Sequence, residues 1–229
     1  MSDASLPVER HIRVPRTARI YEIGTPGPRT RVVWIACHGY GQLAAPFAGA
    51  LEPLNDGSRL ILAPEALSRF YLDDPLKQHG PTSPIGASWM TREDREHEII
   101  DYVEYLDLVA STARSEIAGR DVRIVALGFS QGVATACRWA ALGQTAIHKL
   151  IVWAGTVPTD LPKDKGAQLF RGAELVIVAG RTDRVVPSEL LVKEQRSLEE
   201  RGLHSTLRLY DGGHSLHSAT LRQLATDGQ

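Results

Sequence analysis

The strongest constraint in this chain is a repeated form. Short, near-continuous apolar runs end in small residues or Gly, and helix-like segments separate them. VVWIAC (32–37), RLILAP (59–64), VRIVALG (122–128), KLIVWAG (149–155) and ELVIVAG (174–180) share the form, and STLRLYD (205–211) completes the set. Runs with so few polar breaks are expected of strands buried on both faces. HIRV (11–14) and ARIYEI (18–23) read as shorter β-like pieces near the start.

The segments between them have helical spacing. Ile99, Val103, Leu106, Ala110, Ala113 and Ile117 recur at intervals of four and three, which puts them on one face of a helix over 94–117. Thr91 and Asp94 resemble a capping box at its start, with Asp in place of Glu or Gln. Residues 131–142 are Ala-rich, so a helix there can approach a sheet closely. A third helix is expected over 188–201, entered through Pro187 and stopped near Gly202, and a last one over about 215–226. Strands alternating with helices predict an α/β fold, with a mostly parallel central sheet flanked by helices.

No Pro/Gly linker divides the chain, so a single domain is expected over 1–229. One stretch resists the pattern. About 64–91 carries Pro64, Pro75, Pro81 and Pro84 and reads as a long irregular loop. Loops of that length in compact domains are commonly functional.

Composition excludes several roles. With 26 basic and 27 acidic side chains, the net charge of −1 offers no basic face for nucleic acid. The start is charged and lacks the apolar core of a secretory signal, and no apolar run is long enough to span a bilayer. Cys37 and Cys137 cannot build a disulfide framework and are expected to be free core thiols. Together these features predict a cytoplasmic protein.

Chemistry enters with GFSQG at 128–132, between an apolar strand and the Ala-rich helix. Gly-x-Ser-x-Gly in that context reads as a nucleophile elbow, which exposes the Ser130 hydroxyl at a helix N-terminus. A serine nucleophile needs a base and a group to orient it. His214 follows the last strand in GGH, and Asp183 follows ELVIVAG in GRTDRVVP. In a parallel sheet these loops emerge along one edge, so Ser130, Asp183 and His214 are expected to converge, in the chain order of α/β-hydrolase triads. HGYG at 38–41, after VVWIAC, is expected to supply one N–H of an oxyanion hole. The expected donors are the backbone N–H groups of Tyr40 and Gln131. His38 reads as a structural hydrogen-bonder, since His214 already fills the role of base.

These motifs resemble those of the α/β-hydrolase superfamily, and more closely its phospholipase/carboxylesterase group, which includes acyl-protein thioesterases. The resemblance rests on HGYG, APEALSRFY (63–71), SWM (88–90), LGFSQG, WAGTVP (153–158), GRTDRVVP and GGH, and covers about residues 31–217. It implies a small α/β-hydrolase without a separate cap domain or cofactor, acting on small-molecule ester or thioester substrates. The loop after HGYG departs from the group, with Gln42 where an acidic residue is common, and Val133 stands where a second Gly is frequent.

Phe70, Tyr71, Trp89, Val186 and Leu216 lie beside these motifs and are the candidate substrate-binding side chains. Eight histidines prompt a search for metal ligands, but there is no HExxH and no CxxC, and no metal is expected. Walker A and dinucleotide GxGxxG motifs are absent. The expected activity is serine-dependent cleavage of small carboxylic esters by a monomer or homodimer. The alternatives are an acyl-protein thioesterase or lysophospholipase, or a ligand-binding or signalling protein on a hydrolase scaffold.

Overall fold

The computed structural model describes residues 7–74, 76, 78–117, 121–162 and 168–226. Its centre is a seven-stranded sheet built from β1 (Ile20–Ile23), β2 (Val32–Cys37), β3 (Arg59–Pro64), β6 (Arg123–Phe129), β7 (Lys149–Trp153), β8 (Glu174–Gly180) and β9 (Ser205–Tyr210). The order is β1-β3-β2-β6-β7-β8-β9. β1 runs antiparallel to β3, and every other pairing is parallel.

The expected apolar runs form the inner strands because both of their faces are covered. Alternate residues of β2 divide cleanly. Val33, Ile35 and Cys37 face one core with α2 (Arg95–Glu116), α3 (Gln131–Leu142) and α4 (Ser188–Glu200). Trp34 and Ala36 face another with α1 (Ala44–Leu51) and α5 (Ser218–Thr226). The periodic residues of α2 lie on its buried side, Leu106, Ala110 and Ala113 among them.

The structure differs from the sequence reading in three places. Residues 11–14 form no strand. Ile12 and Val14 are exposed, and the segment is held to α2 by the ion pair of Arg13 with Glu104 and by the contact of His11 Nε2 with Asp94 Oδ2. The capping partner of Thr91 is Glu98 rather than Asp94, with Glu98 Oε2 accepting from the Thr91 N–H at 2.6 Å. The stretch expected as an irregular loop contains an antiparallel pair, β4 (Ser68–Tyr71) and β5 (Ile85–Ser88). Pro81 and Pro84 fall between those two strands, where no ladder N–H is needed, and Pro64 ends β3; Pro75 lies outside the described residues.

Candidate active site

Ser130 stands between β6 and α3 with φ 54° and ψ −118°. The flanking glycines have a steric cause. A Cβ on Gly128 would run into the Gly132 carbonyl, and one on Gly132 would run into the Cys37 carbonyl. Only hydrogen at these two positions lets the strand, the helix and β2 approach this closely.

The ends of β8 and β9 bring the other two groups in. His214 Nε2 lies 3.0 Å from Ser130 Oγ, and His214 Nδ1 lies 2.8 Å from Asp183 Oδ2. Asp183 is buried, and its other oxygen accepts from the N–H groups of Val185 and Val186 at 2.8 and 2.9 Å. A carboxylate saturated in this way fixes Nδ1 as the protonated nitrogen, leaving Nε2 to accept from the serine. The histidine loop is itself braced. Trp153 Nε1 donates to the Ser215 carbonyl at 3.1 Å, and the Tyr210 hydroxyl lies 2.6 Å from the same oxygen.

The loop after β2 packs close to Ser130, where a Cβ on Gly39 would lie 3.2 Å from the Ser130 Cβ. Gly39 N–H donates to Gln42 Oε1 at 2.7 Å, so the residue that departs from the group's pattern pins this turn. His38 is fully buried. Its Nδ1 lies 2.8 Å from the Gly39 carbonyl and its Nε2 accepts from the Ala66 N–H at 3.1 Å. Burial holds its pKa below the usual imidazole value, against the bond to Gly39, so it stays neutral and structural. The backbone N–H groups of Tyr40 and Gln131 have no hydrogen-bond partner among the described residues. For Gln131 this follows from its place as the first residue of α3.

The Gln131 side chain was not expected to matter. Its Oε1 accepts from the Trp89 N–H at 3.2 Å, and its Nε2 donates to Ser88 Oγ and the Met90 carbonyl at 3.0 and 2.9 Å. It therefore ties the elbow to the SWM segment. The signal in the sequence was the joint presence of GFSQG and SWM, but only the fold pairs them.

A cavity of about 390 Å³ adjoins His214 and is lined by Pro46, Phe47, Ile85, Phe129 and Leu216, with Gly41 and Gln42 at its side. Of the five side chains expected to bind substrate, Leu216 lies in this lining. Trp89 does not: it is only 4% exposed, packs in the α2-side core and donates from Nε1 to the His38 carbonyl at 2.9 Å. Its indole supports the HGYG loop from behind. Phe70 packs on Tyr40 with ring centres 5.2 Å apart, and Tyr71 stacks on His79 at 4.0 Å. Val186 is partly buried against the α2-side core.

One group of potential metal ligands occurs among the described residues, His11, Asp94 and His97, all exposed. His97 Nδ1 and Asp94 Oδ1 are 2.6 Å apart, and the two imidazoles stack at 3.8 Å, so these side chains already satisfy one another at the start of α2. No helix among the described residues is long and apolar enough to cross a membrane.

Comparison with known proteins places the fold. The chain superposes on Zea mays acyl-protein thioesterase 2 with a TM-score of 0.66 and 16% identity, covering 91% of this chain and 96% of that one. For a phospholipase/carboxylesterase from Dyadobacter fermentans the TM-score is 0.63 at 19% identity, with 94% and 98% covered. For the esterase PE8 it is 0.65 at 17% identity, with 92% and 97% covered. The protein thus has the α/β-hydrolase fold, with a mostly parallel sheet covered by helices on both faces. No family model and no curated protein matches the chain by sequence.

Proposed function

We propose that the protein is a serine hydrolase that cleaves small carboxylic esters through an acyl-enzyme on Ser130. The observation that carries this reading is the continuous Ser130–His214–Asp183 hydrogen-bond line, at 3.0 and 2.8 Å. The names of the similar structures, esterase, carboxylesterase and acyl-protein thioesterase, point the same way. His214 Nε2 removes the Ser130 proton as Oγ attacks the carbonyl carbon, and Asp183 stabilises the imidazolium that forms. The N–H groups of Tyr40 and Gln131 receive the oxyanion, each worth about 3 kcal/mol in the transition state. His214 then protonates the leaving alcohol and activates the water that releases the acid.

No step needs a cofactor or metal. The apolar lining from Pro46 to Leu216 suits an uncharged acyl or alkyl group. The whole chain acts as one domain in this reading. Its two free thiols, both buried, suit a reducing compartment such as the cytoplasm.

Labelling with a serine-reactive fluorophosphonate, followed by peptide mapping, is expected to find the probe on Ser130. Ser130→Ala is expected to lose p-nitrophenyl acetate turnover by at least 10³-fold. Turnover near the wild-type rate in that variant would falsify the assignment. A panel of esters and acyl-thioesters of graded chain length then sets the substrate class.

A further inference from the structure

A second cavity lies at the opposite edge of the sheet, under the end of α5. It measures about 410 Å³ and is lined by ten residues, of which four are basic (Arg31, Arg59, Arg123, Lys149) and none is acidic. The strand register explains how they meet. Arg59, Val32 and Arg123 are aligned across β3, β2 and β6, and one step along, Trp34, Val125 and Lys149 are aligned across β2, β6 and β7. Alternation puts both rows on the α5 side of the sheet, at the starts of these strands. Leu224 and Ala225 of α5 close the cavity from above.

The floor is apolar, and of the four cations around it two are paired with carboxylates that lie outside the lining. Lys149 is buried beside Glu174 at 3.3 Å, and Arg59 is buried with one guanidinium nitrogen 2.6 Å from the Ala225 carbonyl and an ion pair to Asp56. These contacts hold two of the cations in place at the rim. The bonds of Arg31 to the carbonyls of Pro28 and Thr30 do the same for a third without neutralising its charge. Concave sites of about 300–1,000 Å³ with an apolar lining and a few fixed polar groups are the general form of small-molecule sites. Fixed guanidinium groups favour carboxylate ligands.

We propose that this cavity is a second ligand site for a small amphipathic anion, a carboxylate with an apolar chain. The apolar chain lies on Val32, Trp34, Val125 and Leu224, and the carboxylate meets the basic rim. The site is separate from the candidate active site. β6 runs from Arg123 to Phe129 before Ser130, which sets the two about 20 Å apart at the rise of an extended strand. The inference stands on the cavity alone and holds whether or not Ser130 hydrolyses esters.

Octanoate is the probe, with octan-1-ol as the uncharged control, titrated calorimetrically into the full chain. Three variants separate the sites. Arg31→Glu reverses an exposed charge with little risk to folding. Val32→Phe fills the floor, and Leu216→Ala alters the cavity beside His214 without touching a residue that lines the second one. One-to-one octanoate binding is expected, at least tenfold tighter than octan-1-ol. It is expected to weaken at least tenfold in Arg31→Glu and in Val32→Phe, and to be unchanged in Leu216→Ala. Three results each overturn the proposal: no octanoate binding, equal affinity for octan-1-ol, or binding that survives Arg31→Glu but falls in Leu216→Ala.

Discussion

At the scale of single residues, the candidate site is a set of constraints that only particular side chains meet. Ser130 occupies a sparsely populated backbone region, which costs about 1–3 kcal/mol. The strain persists because neighbours fix the turn from both sides. The Ser130 N–H donates to the Trp153 carbonyl at 2.9 Å, and the Val133 N–H donates to the Ser130 carbonyl at 3.0 Å. Asp183 is equally restricted. Its Oδ1 serves two backbone N–H groups and its Oδ2 serves His214. In Asp183→Asn the amide oxygen keeps the backbone donors, so the NH2 faces Nδ1 and moves the imidazole proton to Nε2. That tautomer cannot accept from Ser130. We expect kcat on p-nitrophenyl acetate to fall about 10⁴-fold with little change in melting temperature. A loss below tenfold would remove Asp183 from the proposed mechanism.

Elements explain why some of this was legible in the sequence and some was not. The inner strands were legible because burial on both faces leaves them almost continuously apolar, α2 by its periodic apolar face, α3 by its alanines, and α4 by its entry at Pro187 and stop near Gly202. The convergence of Ser130, Asp183 and His214 was legible because these residues follow strands whose ends share one edge. α1 was not: Ala44–Leu51 is short and holds Pro46 and Gly49, and its start is fixed from afar, by Glu65 accepting from the Ala44 N–H at 3.2 Å. The β4–β5 pair was hidden by its prolines, and the burial of Trp89 by the absence of any local period around it. The link from α3 to β5 through Gln131 is likewise long-range in sequence. Gln131→Ala removes its bonds to the Trp89 N–H, Ser88 Oγ and the Met90 carbonyl. Leaving buried backbone groups unpaired costs about 1–3 kcal/mol, read as a lower melting temperature. If the side chain also positions the oxyanion N–H, kcat falls at least tenfold while KM changes little. Gln131→Glu, which keeps the acceptor and loses the donor, is expected to fall between the two. A lowered melting temperature with unchanged kcat would restrict Gln131 to a structural role.

For the whole molecule, stability is bounded on both sides by carboxyl groups of opposite behaviour. Asp160 is held down to about 2, since hydrogen bonds from Arg138 and Arg95 outweigh the opposing effect of burial. A depressed folded value means stability that is present above the ordinary Asp range and is lost as pH falls toward 2. Glu65 shifts in the same direction, with Arg69 and Arg19 overcoming its burial. Glu194 on α4 does the reverse. Burial pushes it up to about 7, partly opposed by the Val157 N–H, which donates to Oε1 at 2.5 Å. Its Oε2 is buried without a partner among the described residues, so the protonated acid fits this place better than the carboxylate. Between the ordinary Glu value and about 7, the folded chain therefore holds a proton that the unfolded chain has released. Stability must fall as pH rises through that window. Glu194→Gln keeps an acceptor for Val157 and cannot ionise. After allowance for partial solvent screening, the variant is expected to be about 2 kcal/mol more stable than the wild type at pH 8. That corresponds to a melting temperature higher by about 4–8 °C. At pH 4.5, where both forms are neutral in the folded state, the two proteins are expected to melt together. Thermal unfolding at the two pH values checks this, and an equal difference at both would show that the effect lies in packing rather than in the proton.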